Sequence, residues 1–175
     1  MNSSPLSALA DRSRTVVDPD DLQQFLDTFL YREEAVLIDE ITHVDAESHA
    51  LGARLDSARV LPFADLQRVS SNHPGHVSGA EMVMATGALG CLHAWLFHGV
   101  RWDQGWAGFG NRIHRADFKR LAHRGPPVEL RSTETRSRVG PARIVLRFSF
   151  EFRQAGELVY VGDQSAMFVK GVPIG

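Results

Sequence analysis

The stretch from Ser78 to Phe97 constrains this chain more than any other. Met82, Ala85, Leu89, Leu92 and Leu96 recur at helical spacing, and the remaining faces carry Gly79, Ala80, Ala88, Gly90 and Ala94. A helix that is apolar nearly all round must be buried. Its many small residues let other backbones come close. Ser78 is a good N-cap, and Glu81 then sits at N3 as the acid of a capping box. Only a fold that wraps one long helix satisfies such a segment.

The flanking sequence supplies the wrapping. Gly108 to Lys119 alternates loosely and Val128 to Arg138 alternates. Ile144, Leu146, Phe148, Phe150 and Phe152 alternate strictly with polar residues, and Leu158 to Val169 closes the set. Turn chemistry separates them at Arg124-Gly125-Pro126-Pro127, Val139-Gly140-Pro141 and Gln154-Ala155-Gly156-Glu157. Upstream, Asp18-Pro19-Asp20-Asp21 opens a short amphipathic helix over 19–30 through Leu22, Phe25, Leu26 and Phe29. Ala35 to Asp39 reads as a buried strand continuing toward Val44. His49 to Leu55 reads as its return strand after a turn at Ala46-Glu47-Ser48. The expectation is an α+β domain with one buried central helix against a curved antiparallel sheet.

Composition narrows the function. The 175 residues suit one domain, with 43% hydrophobic and 23% charged residues. We expect a frayed tail over 1–17 and a single domain over 18–175. A net charge of −2 gives no nucleic-acid footprint. The basic residues from Arg112 to Arg138 alternate with apolar ones, as on a wet strand face. The single cysteine, Cys91, cannot form an internal disulfide and reads as inert core, which fits a reducing cytoplasm. No stretch approaches the ~20 apolar residues that span a bilayer. No metal set is expected. His73 and His76 have only Glu81 as a nearby acid, and His93 and His98 read as packing or helix-end residues.

The segment Asn72-His73-Pro74-Gly75-His76-Val77-Ser78-Gly79-Ala80-Glu81 gathers the polar groups at the helix start. A helix N-terminus offers unpaired N–H groups and partial positive charge, which can polarise a carbonyl. Glu81 can act as general base or nucleophile, or only as the capping acid. His76 can orient a water or share a proton. Ser78 can hold the water, or only cap. Asn72 and His73 can serve the site or only the turn.

Residues 31–170 resemble the hotdog superfamily. Tyr31 through Ile38-Asp39 looks like a first-strand signature. Ala116-Asp117-Phe118-Lys119-Arg120 with Arg124-Gly125-Pro126 looks like the superfamily's strand-and-turn region, although Pro126 replaces the usual Gly-Asp continuation. The segment Gly75-His76-Val77-Ser78-Gly79-Ala80-Glu81 is similar to the helix start of FcoT-type long-chain acyl-CoA thioesterases, and Tyr31 is placed like a tyrosine of that group. Ser78 stands where that pattern has Asn, and Gly87 where a second Asn would follow. The resemblance implies hydrolysis of an acyl-CoA or acyl-carrier-protein thioester without a cofactor. It implies Glu81, His76 and Ser78 as catalytic residues, with Tyr31, Asn72, His73 and Gly79 at the substrate. It also implies a homodimer or dimer-based oligomer. Pro74-Gly75 through Met82 with Ala85-Thr86-Gly87 also resembles the helix start of 3-hydroxyacyl-carrier-protein dehydratases, which is the alternative activity. A non-catalytic acyl-binding subunit is the third reading, motivated by the missing Asn.

Overall fold

The computed structural model describes residues 5–171. Its centre is α3, Gly79–His98, which ends at Gly99 with φ 64° in the left-handed region that glycine tolerates best. Six strands form one antiparallel sheet in the order β1-β2-β6-β7-β8-β4: β1 Glu40–Asp45, β2 Ala50–Leu55, β6 Val128–Val139, β7 Arg143–Gln154, β8 Glu157–Lys170 and β4 Trp106–Phe118. The short strands β3, His76–Val77, and β5, Ala122–His123, pair separately. The sheet curves around α3, as the apolar helix requires.

The register explains the core. Phe148, Phe150 and Phe152 of β7 pair with Gln164, Gly162 and Tyr160 of β8, so the inner row of one strand faces the inner row of the next. All three phenylalanines are buried with Leu89, Leu92 and Trp95 of α3. The helix α2, Pro19–Thr28, covers the C-terminal part of α3. There Phe25 meets Trp95 edge-on at 5.4 Å between ring centroids, and the Trp95 indole N–H donates to Asp21 at 3.0 Å.

Three expectations change. Part of the stretch read as a frayed tail is helical: α1 spans Pro5–Ser13 and buries Leu9 and Ala10, while residues 1–4 lie outside the described residues. The buried Ser13 hydroxyl accepts the Ile41 N–H at 2.8 Å, tying α1 to β1. Val36, Leu37 and Ile38 are buried as read but belong to no strand, because pairing begins only at Glu40. Burial alone does not distinguish an apolar run in a strand from one crossing the core as a loop. Finally, α3 is long and apolar enough to cross a membrane by length and composition, against the reading that no stretch is; here it lies mostly buried as the core helix.

His93 is fully buried on α3, with its Nε2 2.6 Å from the Ser132 hydroxyl. Burial lowers its pKa from 6.5 to about 4, with Glu134 pulling weakly the other way. Between those two values the unfolded chain binds a proton that the folded chain refuses. Stability is therefore full above the unfolded pKa and falls as the pH drops toward the folded one. The whole shift corresponds to roughly 3 kcal/mol. The urea midpoint should fall across this window, and His93→Leu should flatten the fall; parallel profiles would contradict it.

Candidate functional site: an apolar cavity beside the central helix

Ser78 and Glu81 at the start of α3 also build it. Ser78 caps the helix, its hydroxyl accepting the Glu81 N–H at 3.2 Å. Glu81 is fully buried. Its Oε1 accepts the N–H groups of Phe63 and Ala64, each at 2.9 Å, and its Oε2 accepts that of Ser78 at 2.7 Å. The carboxylate thus closes the capping box and also clasps the loop at Phe63-Ala64 to the helix start. Charge-assisted bonds of this kind are about twice as strong as neutral ones.

The neighbouring residues are held by the same construction. The His76 backbone bonds both ways with the Gln67 amide, at 3.1 and 2.9 Å, and its ring Nδ1 lies 2.9 Å from the Pro74 carbonyl. His73 meets His76 edge-on at 5.2 Å, and Asn72 and His73 are exposed on the turn. Gly79 leaves room for the Phe118 ring, which a Cβ would meet at 2.9 Å. Asn72, His73, His76, Ser78, Gly79 and Glu81 thus share one corner, and none of them lines the apolar cavity beside α3.

That cavity, of about 260 Å³, lies farther along α3 and is somewhat smaller than the ~300–1,000 Å³ of typical small-molecule sites. Met84, Thr86, Gly87, Gly90 and Cys91 form its helix wall. Gly108, Phe109 and Gly110 of β4, Phe148 and Phe150 of β7, and Gln164, Ser165, Ala166 and Phe168 of β8 form the sheet wall. Of the residues expected from sequence, Tyr31 alone reaches it, standing beside Phe29 at the mouth with 62% of its surface exposed.

One polar chain crosses the wall. Thr86 Oγ1 lies 2.6 Å from the Val83 carbonyl and 3.0 Å from Gln164 Oε1, and its single proton serves one of the two. Gln164 Nε2 donates to the Tyr160 hydroxyl at 2.9 Å. Burial raises the Tyr160 pKa, so the phenol stays protonated at neutral pH. Cys91 has its thiol pushed up to about 12 by burial, which leaves it a poor nucleophile. No Asp, Glu or His belongs to the described lining. Among the described residues, the one group able to offer three metal ligands, His49, His98 and Glu134, is also absent from it.

Sequence reading missed Thr86 and Gln164. The signal for Gln164 was present: Tyr160, Gly162, Gln164, Ala166 and Phe168 fall on one strand face, and Gln164 is the polar interruption of that row. Thr86 carried none, since a lone threonine in an apolar helix commonly bonds back to its own backbone.

If Glu81 is the clasp described, Glu81→Ala takes the acceptor from the buried Ala64 N–H, at about 1–3 kcal/mol, and from the part-buried Phe63 and Ser78 N–H groups at less each. A urea midpoint consistent with a loss of roughly 2–4 kcal/mol is expected. A stable, inactive variant would return Glu81 to chemistry.

No family model and no curated protein sequence matches this chain. Solved structures do. The thioesterase HI1161 of Haemophilus influenzae is similar at 19% identity and a TM-score of 0.51, over 77% of this chain and 80% of that one. The dehydratase heterocomplex ApeI:P of Xenorhabdus doucetiae reaches a TM-score of 0.56 at 11% identity, over 86% and 91% of the two chains. The protein PH1136 of Pyrococcus horikoshii gives 0.56 at 11% identity, over 85% and 93%. At such identities the likeness is one of fold. Helix, sheet and structural neighbours agree that this chain has the hotdog fold.

Proposed function

We propose that this chain binds an acyl thioester, carried by CoA or by an acyl carrier protein, and hydrolyses it. The observation that carries the proposal is the apolar cavity along α3, whose wall carries the hydrogen-bonded pair Thr86–Gln164 with the buried Tyr160 hydroxyl behind it. Apolar walls suit an acyl chain, and the amide and hydroxyl suit the thioester end. Gln164 Nε2 carries a second N–H that can donate to the thioester oxygen as charge develops there. Thr86 Oγ1 can hold the attacking water. Hydrolysis adds water across the C–S bond, releasing a carboxylic acid and a free thiol. The thioesterase among the structural neighbours supports this reading through shared fold.

A second reading, binding without turnover, is favoured by the lack of any carboxylate or imidazole among the described lining residues. Dehydration of a 3-hydroxyacyl thioester is the alternative that the second neighbour suggests.

A second copy of this chain is part of the proposal. β4 forms a sheet edge with one side unpaired and exposes Phe109, Ile113 and Phe118. A 13-residue edge strand with one row of backbone groups unpaired is a template on which the same strand of a second copy can pair.

Gly87 is the point of test, because a Cβ there meets nothing within 4 Å and opens toward the cavity. Gly87→Leu should fill the cavity and stabilise the helix by up to roughly 1 kcal/mol. In a thiol-release screen over acyl-CoAs of varied length, the native chain should release thiol. Gly87→Leu should lower kcat/KM by at least about tenfold, or ~1.4 kcal/mol. Binding of acyl-CoA with no thiol released would establish the second reading; turnover of 3-hydroxyacyl-CoA without thiol release would establish dehydration. Unchanged turnover in Gly87→Leu would remove the cavity from the mechanism.

A further inference from the structure

Three side chains from distant parts of the sequence converge beyond the cavity. His98 closes α3, His49 stands at the tip of the β1–β2 hairpin, and Glu134 lies on β6. His98 Nε2 is 2.6 Å and His49 Nδ1 is 3.3 Å from the same oxygen, Glu134 Oε2. The three donor atoms lie within 4.8 Å of one another. The His98 and Glu134 side chains are nearly enclosed, at 7% and 6% exposure, while His49 is 35% exposed and faces solvent.

Each residue is held in place by its own surroundings. Glu134 sits where the β6–β7 register shifts, between Glu134 and Arg136, and a bulge re-aims a side chain. The His49 ring stacks on Phe97 at 4.9 Å and 11°, which fixes its plane. His49 has φ 45°, a conformation more often given to Gly or Asn. The Glu134 N–H donates to the His49 carbonyl at 3.0 Å, joining hairpin and strand.

We propose that His49, His98 and Glu134 form a binding site for a zinc-type divalent cation. Two imidazoles and one carboxylate are the donor set that such ions favour. Around tetrahedral zinc with bonds of about 2.0–2.1 Å, neighbouring donor atoms sit roughly 3.3–3.4 Å apart. The His49–Glu134 separation of 3.3 Å already matches, and the 2.6 Å His98–Glu134 separation opens by less than about 1 Å to admit the ion. The fourth position opens to solvent on the His49 side. Without metal, the approach of both imidazole rings to Glu134 Oε2 holds the cluster together, and the cation would take the place of those contacts. Bound metal would pin the hairpin tip to the end of α3 and to β6. Sequence spacing gives no hint of the site, because its ligands come from three separate elements.

The test is titration of the metal-free full chain with Zn2+ by calorimetry, and with Co2+ by visible spectroscopy. The proposal predicts saturation at one equivalent, a higher thermal midpoint with Zn2+, and the intense visible bands of four-coordinate Co2+. His49→Gln, altering the most exposed ligand, should abolish the bands while the far-ultraviolet dichroism stays native. The double variant His73→Ala/His76→Ala should bind as the native chain does. The proposal is overturned by absence of stoichiometric binding, by bands that survive in His49→Gln, or by binding lost only in the His73/His76 variant.

Discussion

α3 lacks a polar face, so water is a poor neighbour on every side. The sheet covers most of it, with β7 and β8 laying Phe148, Phe150 and Phe168 against the helix and α2 covering Trp95. One stripe is left less covered: Ala80 and Gly87 are exposed, and Val83, Met84 and Cys91 are half-buried. That stripe is as apolar as the rest. The cavity opens along it, where Gly87 of α3 and Gly110 of β4 leave space. Packing the helix and leaving a cavity beside it are therefore one event.

The helix start shows the opposite economy. Polar residues gather there, but Glu81 spends its carboxylate on three backbone N–H groups and Ser78 spends its hydroxyl on a fourth. Sequence alone could not separate a capping acid from a catalytic one, because the same spacing serves both. The structure adds to the capping role a pair of bonds to Phe63 and Ala64, from a segment without periodicity. The resemblance in Gly75 to Glu81 is thus carried by residues that shape the helix start, while the cavity lies further along.

Much of the fold was legible for simple reasons. Periods of two and of 3.6 residues report buried faces directly, and they located α2, α3, β4 and the strands from β6 to β8 to within a few residues, while the two-residue β3 and β5 are too short to carry a period. Val36 to Ile38 was misread because a buried loop and a buried strand share the same apolar run. Only α3 in cross-section shows which of its faces stays open, so Gly87 was visible as a small residue but not as a cavity wall. Thr86 and Gln164 lie 78 positions apart, and a hydrogen bond across that separation has no local signature.

The central claim is that the acyl chain lies between α3 and the inner rows of β7 and β8. A crystal structure with a non-hydrolysable thioether analogue of an acyl-CoA tests this most directly. The account predicts the alkyl chain against Gly87, Phe150 and Phe168, with the atom replacing the carbonyl within hydrogen-bond reach of Gln164 or Thr86. An analogue seated instead at His76 and Glu81, with the cavity beside α3 unfilled, would contradict it.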